Sequence, residues 1–324
     1  LGSAPTTSID GEDKGIDARS IWLGVVQPGE SQSIFSDALR EFADQAGLDV
    51  RIAVVGGDDL APRMKELIDA GQRFENLDTG EAFADLGVPA LAANAYLGGA
   101  PITAALAAGA DVVVFLGGLP ARSESEGFAR DTLDLPAGQV TLIEALAAQP
   151  SPVVVVLNNG GVVHLPWADR VAAVVECWLG GQAGARGTVD VLFGDAEPGG
   201  RLAESIPEHV AQLPADRNFP GEPRQVVYRE GPWVGYRFHD RAGVAARYPF
   251  GHGLSYTSFD WSGVSLTGTG TDVTVSVRVT NTGERAGSDV VQVYVRPGAS
   301  ALHRPDKELK GFAKVHLEPG ASAE

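Results

Sequence analysis

YREGPWVGYRFHDRAGVAARYPFGHGLSYTSF, residues 228–259, decides how the rest of the chain is read. It is dense in glycine, proline and aromatics, and it shows neither helical nor strand period. Trp233, Tyr236, Phe238, Tyr248, Phe250 and Tyr256 give it more rings than a solvated linker carries. The plain alternative is a generic Pro/Gly linker between domains. The rings favour a structured junction pinned against a neighbouring domain. On its amino-terminal side the chain reads as α/β. On its carboxyl-terminal side it reads as all-β.

The α/β reading comes from strands that end in turns. Ile21–Val26 is a short apolar run, and Asp49–Val55 (DVRIAVV) is β-branched and continuous up to Gly56-Gly57-Asp58-Asp59. Asp111–Phe115 (DVVVF) leads to Gly117-Gly118, and Pro152–Leu157 (PVVVVL) to Asn158-Asn159-Gly160-Gly161. Val171–Trp178 is strand-like. Between these runs, helical spacing is predicted for residues 34–46, 62–70, 102–108, 142–148 and 187–193. Strand, polar turn and helix in repetition is the pattern of an open, mostly parallel sheet covered by helices. Val112–Phe115 and Val153–Leu157 are its expected central strands, because runs apolar on every residue need cover on both faces.

After Phe259 the period changes to two. Val273, Val275, Val277 and Val279 alternate with polar residues, Asn281-Thr282-Gly283 makes a turn, and Val291, Val293 and Val295 repeat the alternation. This is antiparallel sandwich patterning. The expected organisation is an irregular leader over 1–20, an α/β domain over 21–205, the aromatic junction over 206–258, and a truncated β-sandwich over 259–324. A chain starting at Leu1 is expected to be a piece of something longer or a processed product.

The chain has 324 residues, with 25 Lys+Arg against 42 Asp+Glu and a formal net charge of −17. Such a field repels phosphate backbones and anionic lipid surfaces, so neither nucleic acid nor membrane is an expected partner. A neutral sugar meets no such opposition. The single cysteine, Cys177, lies in the apolar run VAAVVECWLGG and reads as a small buried hydrophobe rather than a nucleophile. No turn carries the G-x-G-x-x-G of a dinucleotide site, Walker spacing or a G-x-S-x-G elbow. The six histidines are scattered without metal-ligand spacing, and His164 reads as a packed or loop histidine. No cofactor is expected.

The order GYRF–HD–YPFGHGLSYTSF resembles the segment joining the second and third domains of family 3 glycoside hydrolases, the β-glucosidase group. SESEGFARDTLDLPAGQVTLIEAL (residues 123–146) and the stretch from Val153 through Pro207 are similar to the same family's α/β sandwich. The resemblance implies a barrel, then an α/β sandwich, then a fibronectin-III-like domain, with hydrolysis of β-glycosides as the activity. It also places the general acid/base at Glu126, the Glu before Gly in S-E-S-E-G, with Arg130 and Pro136 in register. Ala129 departs from the Asp that the family often has there. Glu124 and Arg130 are candidate substrate-binding residues. By spacing alone, Glu124 and Glu126 read as solvated loop carboxylates. Gly117, Gly118 and Gly127 are expected to leave their loop free.

The family's nucleophile is a barrel Asp, and no Asp in these residues matches its motif. A partner barrel, domain or chain, is therefore implied beside the carbohydrate substrate. A non-catalytic carbohydrate-facing or assembly module is the alternative reading. Residues 45–115 carry a second resemblance, to the acyclic terpene utilisation family, which would make the chain a hybrid.

Overall fold

A computed structural model describes residues 20–26, 49–55, 112–120, 123–127, 130–219, 221, 225–298 and 302–324. The predicted helices over 34–46, 62–70 and 102–108 lie outside these. The chain divides into two compact units, Leu1–Gly194 and Asp195–Glu324.

The first unit is built on a five-stranded parallel sheet. Its strands are β1 (Ser20–Val26), β2 (Asp49–Val55), β3 (Val113–Gly118), β4 (Val153–Asn158) and β5 (Ala173–Glu176), in the order β2-β1-β3-β4-β5. Both expected central strands are interior. β3 pairs with β1 on one side and with β4 on the other, from Val113↔Val153 to Gly118↔Asn158. Phe115, Val155, Val156 and Leu157 are fully buried, which is why these runs are apolar on every residue.

Helix α1 spans Ala137–Ala147 and buries Gln139, Leu142, Ile143 and Leu146. It starts earlier than its apolar spacing predicts, because Pro136 opens it and its first turn buries a polar side chain. The Gln139 amide donates from Nε2 to the Gly118 carbonyl (2.9 Å) and accepts at Oε1 from the Gly118 amide (3.0 Å). A buried glutamine has few ways to satisfy both ends, and here one backbone residue does so.

Gly117 and Gly118 are therefore not a loose hinge. They are the last residues of β3, and the expectation that they free the following loop is corrected. A Cβ at Gly118 would lie 1.8 Å from the Asn158 carbonyl oxygen, so only glycine permits this strand approach.

Helix α2 spans Gly184–Leu192 and buries Thr188 and Val189. Gly187 sits exposed in its interior, and a Cβ there would meet nothing within 4 Å. Gly187→Ala should raise stability by about 0.5–1 kcal/mol, by lowering the entropy of the unfolded chain. Urea unfolding checks this, and a lower midpoint would contradict it.

In the second unit the aromatic stretch contains a helix that its sequence conceals: α3, Tyr236–Ala242, closed by Gly243 in the left-handed conformation (φ 64°). Seven residues give too few turns for a period to emerge from so many rings. The Tyr236 ring lies 5.2 Å from that of Phe250 and meets Tyr294 edge-on at 5.7 Å. Its hydroxyl accepts from the Leu309 amide at 2.9 Å.

Five antiparallel strands follow: β6 (Phe259–Thr269), β7 (Asp272–Asn281), β8 (Gly287–Val295), β9 (Glu308–Leu317) and β10 (Ser322–Ala323). They form a β10-β7-β6 sheet and a β8-β9 hairpin. Fully buried Asn281 joins their turns. Its Nδ2 donates to the carbonyls of Arg285 and Leu317, and its Oδ1 accepts from Thr257 Oγ1 and the Gly283 amide. This is the Asn-Thr-Gly turn expected from sequence, with the side chain imitating backbone.

Candidate active site

Three carboxyl-terminal strand ends meet in the first unit, and the polar residues of the sequence collect there. The loop after β3 carries Glu124 and Glu126. The turn after β4 is Asn158–Gly161. β5 ends on Glu176. Parallel sheets present ligand groups at this edge because the chain must turn there and its side chains are free of the ladder.

Glu124 points inward. Its Oε1 accepts from the Gly160 amide at 2.6 Å and from the Gly161 amide at 3.0 Å, across 36 and 37 residues of sequence. A Cβ at Gly160 would crowd that oxygen at 3.2 Å. Glu126 points outward and is exposed. The sequence brings the two carboxylates within two residues, and the fold gives them different surroundings. Arg130 lies near Glu124. Burial lowers its pKa, while the charges of Glu124 and Asp134 work in the opposite direction. Its Nε and Nη2 are buried without a hydrogen-bond partner.

Glu176 went unremarked in the sequence reading. Burial pushes its carboxyl up to about 7, against the bonds it accepts from Trp178 and Asn159, and the charge of Glu124 raises it further. Its Oε1 accepts from the Trp178 amide at 3.0 Å, and Asn159 Nδ2 approaches its Oε2 at 3.4 Å. Asn159 is fully buried and also donates to the Gly161 carbonyl at 2.9 Å. Glu124 and Glu176 therefore grip the same turn from two sides. Trp178 has φ 50°, a left-handed conformation that a tryptophan adopts only when its surroundings impose it. A lone acid between Val175 and Cys177 in an apolar run was the available signal, since ionisable side chains are seldom buried without a purpose.

Cys177 is a half-buried thiol beside Thr188 Oγ1 (3.3 Å), with its pKa pushed up by burial, which makes it a poor nucleophile. His164 Nδ1 lies 2.9 Å from Asp134 Oδ1 near the surface. Among the described residues no three His, Cys, Asp or Glu side chains are grouped to hold a metal.

Residues 34–256 match the glycosyl hydrolase family 3 C-terminal domain, and residues 289–324 match the fibronectin type III-like domain. The chain belongs to glycoside hydrolase family 3. The family match runs through residues 45–115, and the comparisons give no support to the terpene-utilisation resemblance.

The thermostable β-glucosidase B of Acetivibrio thermocellus is 48% identical over 218 residues, 66% of this chain and 29% of that protein. The exo-α-(1→6)-L-arabinopyranosidase of Bifidobacterium breve is 49% identical over 215 residues, 66% of this chain and 28% of that protein. The crystal structure of a family 3 β-glucosidase from Bifidobacterium adolescentis superposes with a TM-score of 0.72 at 37% identity, covering 95% of this chain and 42% of that one. The chain spans under a third of the length of the two curated relatives.

Proposed function

We propose that this chain is the part of a retaining β-glycosidase that supplies the general acid/base, Glu126, to a nucleophile carried on a barrel outside these 324 residues. The observation that carries the reading is the exposed Glu126 at the carboxyl edge of the sheet, in a segment tied to the neighbouring strand end through Glu124. Retaining hydrolysis needs two carboxyl groups about 5–5.5 Å apart. One attacks the anomeric carbon. The other protonates the departing oxygen and then takes a proton from the attacking water. A barrel closing over the loop would exclude water from Glu126, which general-acid work near neutral pH requires. The named activities of the relatives suggest a terminal glucosyl or arabinopyranosyl unit as the group transferred. Arg130, with two buried donors unsatisfied, is the candidate for a polar contact to substrate or barrel.

The test uses this chain alone and the same chain joined behind a family 3 barrel. The chain alone should not turn over aryl β-D-glucosides or aryl α-L-arabinopyranosides. The joined protein should, and Glu126→Ala should lower kcat by about 10²–10⁴-fold on substrates with poor leaving groups. On a 2,4-dinitrophenyl glycoside, where breakdown of the glycosyl-enzyme limits turnover, azide should restore part of the Glu126→Ala loss, because it replaces water and needs no general base. Robust turnover by the chain alone, or a Glu126→Ala protein as active as its parent, would sink the proposal.

A further inference from the structure

We infer that Glu124 is the positioning residue of the acid site, and that its carboxylate fixes the segment presenting Glu126 by clamping the amides of Gly160 and Gly161. This rests on the assignment of Glu126 above. A solvated loop carboxylate would have no reason to aim one oxygen at two consecutive backbone amides at 2.6 and 3.0 Å. Hydrogen bonds to an ionised acceptor are about twice as strong as neutral ones, so this pair ties the loop firmly to the sheet edge.

The turn that Glu124 holds is itself held. Asn159 bonds the Gly161 carbonyl across the turn (2.9 Å) and reaches toward Glu176, while residue 158 belongs to the ladder with β3. The clamp therefore refers the loop to the β3–β4 ladder. Glu126 is two residues along the chain from the clamped side chain. Among the described residues its own exposed carboxylate makes no comparable bond, and the clamp two residues away sets its place. A displacement of about 1 Å at a reacting group can lower a rate by about 10²-fold. Glu124 touches neither substrate nor reacting atoms in this scheme. It acts through the backbone.

The experiment has two arms. In the 324-residue chain, Glu124→Ala should abolish slow exchange of the Gly160 and Gly161 amides and raise the backbone mobility of Glu126 measured by ¹⁵N relaxation. The methyl signals of buried Ile143 and Val155 should not move. Glu124→Gln, which keeps an acceptor oxygen, should recover most of both properties.

In the barrel-joined protein, Glu124→Ala should lower kcat on a p-methoxyphenyl glycoside by about 10²-fold with KM little changed. The kcat/KM of the 2,4-dinitrophenyl glycoside, which reports formation of the glycosyl-enzyme with a leaving group that needs little protonation, should fall less than about 3-fold. Equal losses of kcat/KM on the two substrates, or a Glu126 as ordered in Glu124→Ala as in the parent, overturn the inference. The same pair of substrates separates it from the reading beneath it. If Glu126→Ala shows no dependence on the leaving group, the acid assignment falls. If Glu126→Ala shows that dependence and Glu124→Ala does not, only the clamp falls.

Discussion

Gly118→Ala should cost about 3–5 kcal/mol of folding free energy, enough to leave much of a marginally stable unit unfolded. The new Cβ would stand 1.8 Å from the Asn158 carbonyl oxygen and 2.7 Å from its carbon. Both are backbone atoms in the strand paired with β3, so no side chain can rotate away. The ends of β3 and β4 must separate. Separation strains the Leu119 amide bond to the Asn158 carbonyl (3.2 Å) and the two-point Gln139 clasp. Overpacking in a rigid site costs about 1–3 kcal/mol, and each lost buried bond adds about 1 kcal/mol. Urea unfolding of the chain followed by far-UV circular dichroism gives the difference. A midpoint equal to that of the parent would mean the strand ends are looser than the geometry says.

The same substitution separates what was legible in sequence from what was not. The strands were legible because each is a short apolar run with a Gly, Asn or Asp turn behind it, and burial on both faces leaves no other way to satisfy such a run. Val153–Leu157 could only be interior. The roles of the glycines were not legible. Gly117 and Gly118 look like a flexible exit from a strand, and only the position of Asn158, forty residues on, shows that Gly118 is a steric requirement. Helix α3 was hidden because its inward face is built from Tyr236 and His239, which carry no aliphatic period.

The candidate site was half legible. Resemblance pointed to Glu126, and spacing paired it with Glu124. The opposite orientations of the two depend on where the Gly160-Gly161 amides sit, which no local pattern encodes. Glu176 was overlooked because it completes a strand.

Glu176→Gln should stabilise the first unit above neutral pH and flatten its pH dependence. The sign follows from the direction of the shift. Burial raises this carboxyl from 4.5 to about 7 in the folded chain. Between those values the folded state holds a proton that the unfolded state has released. The Glu176 contribution to folding free energy therefore declines as pH rises from about 4.5 to about 7, and the deficit is constant above. At 1.36 kcal/mol per pH unit, the full deficit is about 3 kcal/mol. Glutamine removes the titration while keeping an acceptor for the Trp178 amide, which Glu176 now bonds at 3.0 Å. The variant should match the parent near pH 4.5 and exceed it by about 2–3 kcal/mol at pH 8.

A carboxyl raised by burial, with the charge of another acid added, destabilises the ionised form of this strand end, and neutral glutamine is close to it in size. Its position next to the strained Trp178 and the turn that Glu124 clamps places the tension at the edge where the chemistry is proposed. Urea unfolding at pH 4.5, 6 and 8 decides the point. A Glu176→Gln difference independent of pH would show that the Glu176 carboxyl is ionised throughout and that the turn is held by a charge rather than by a proton.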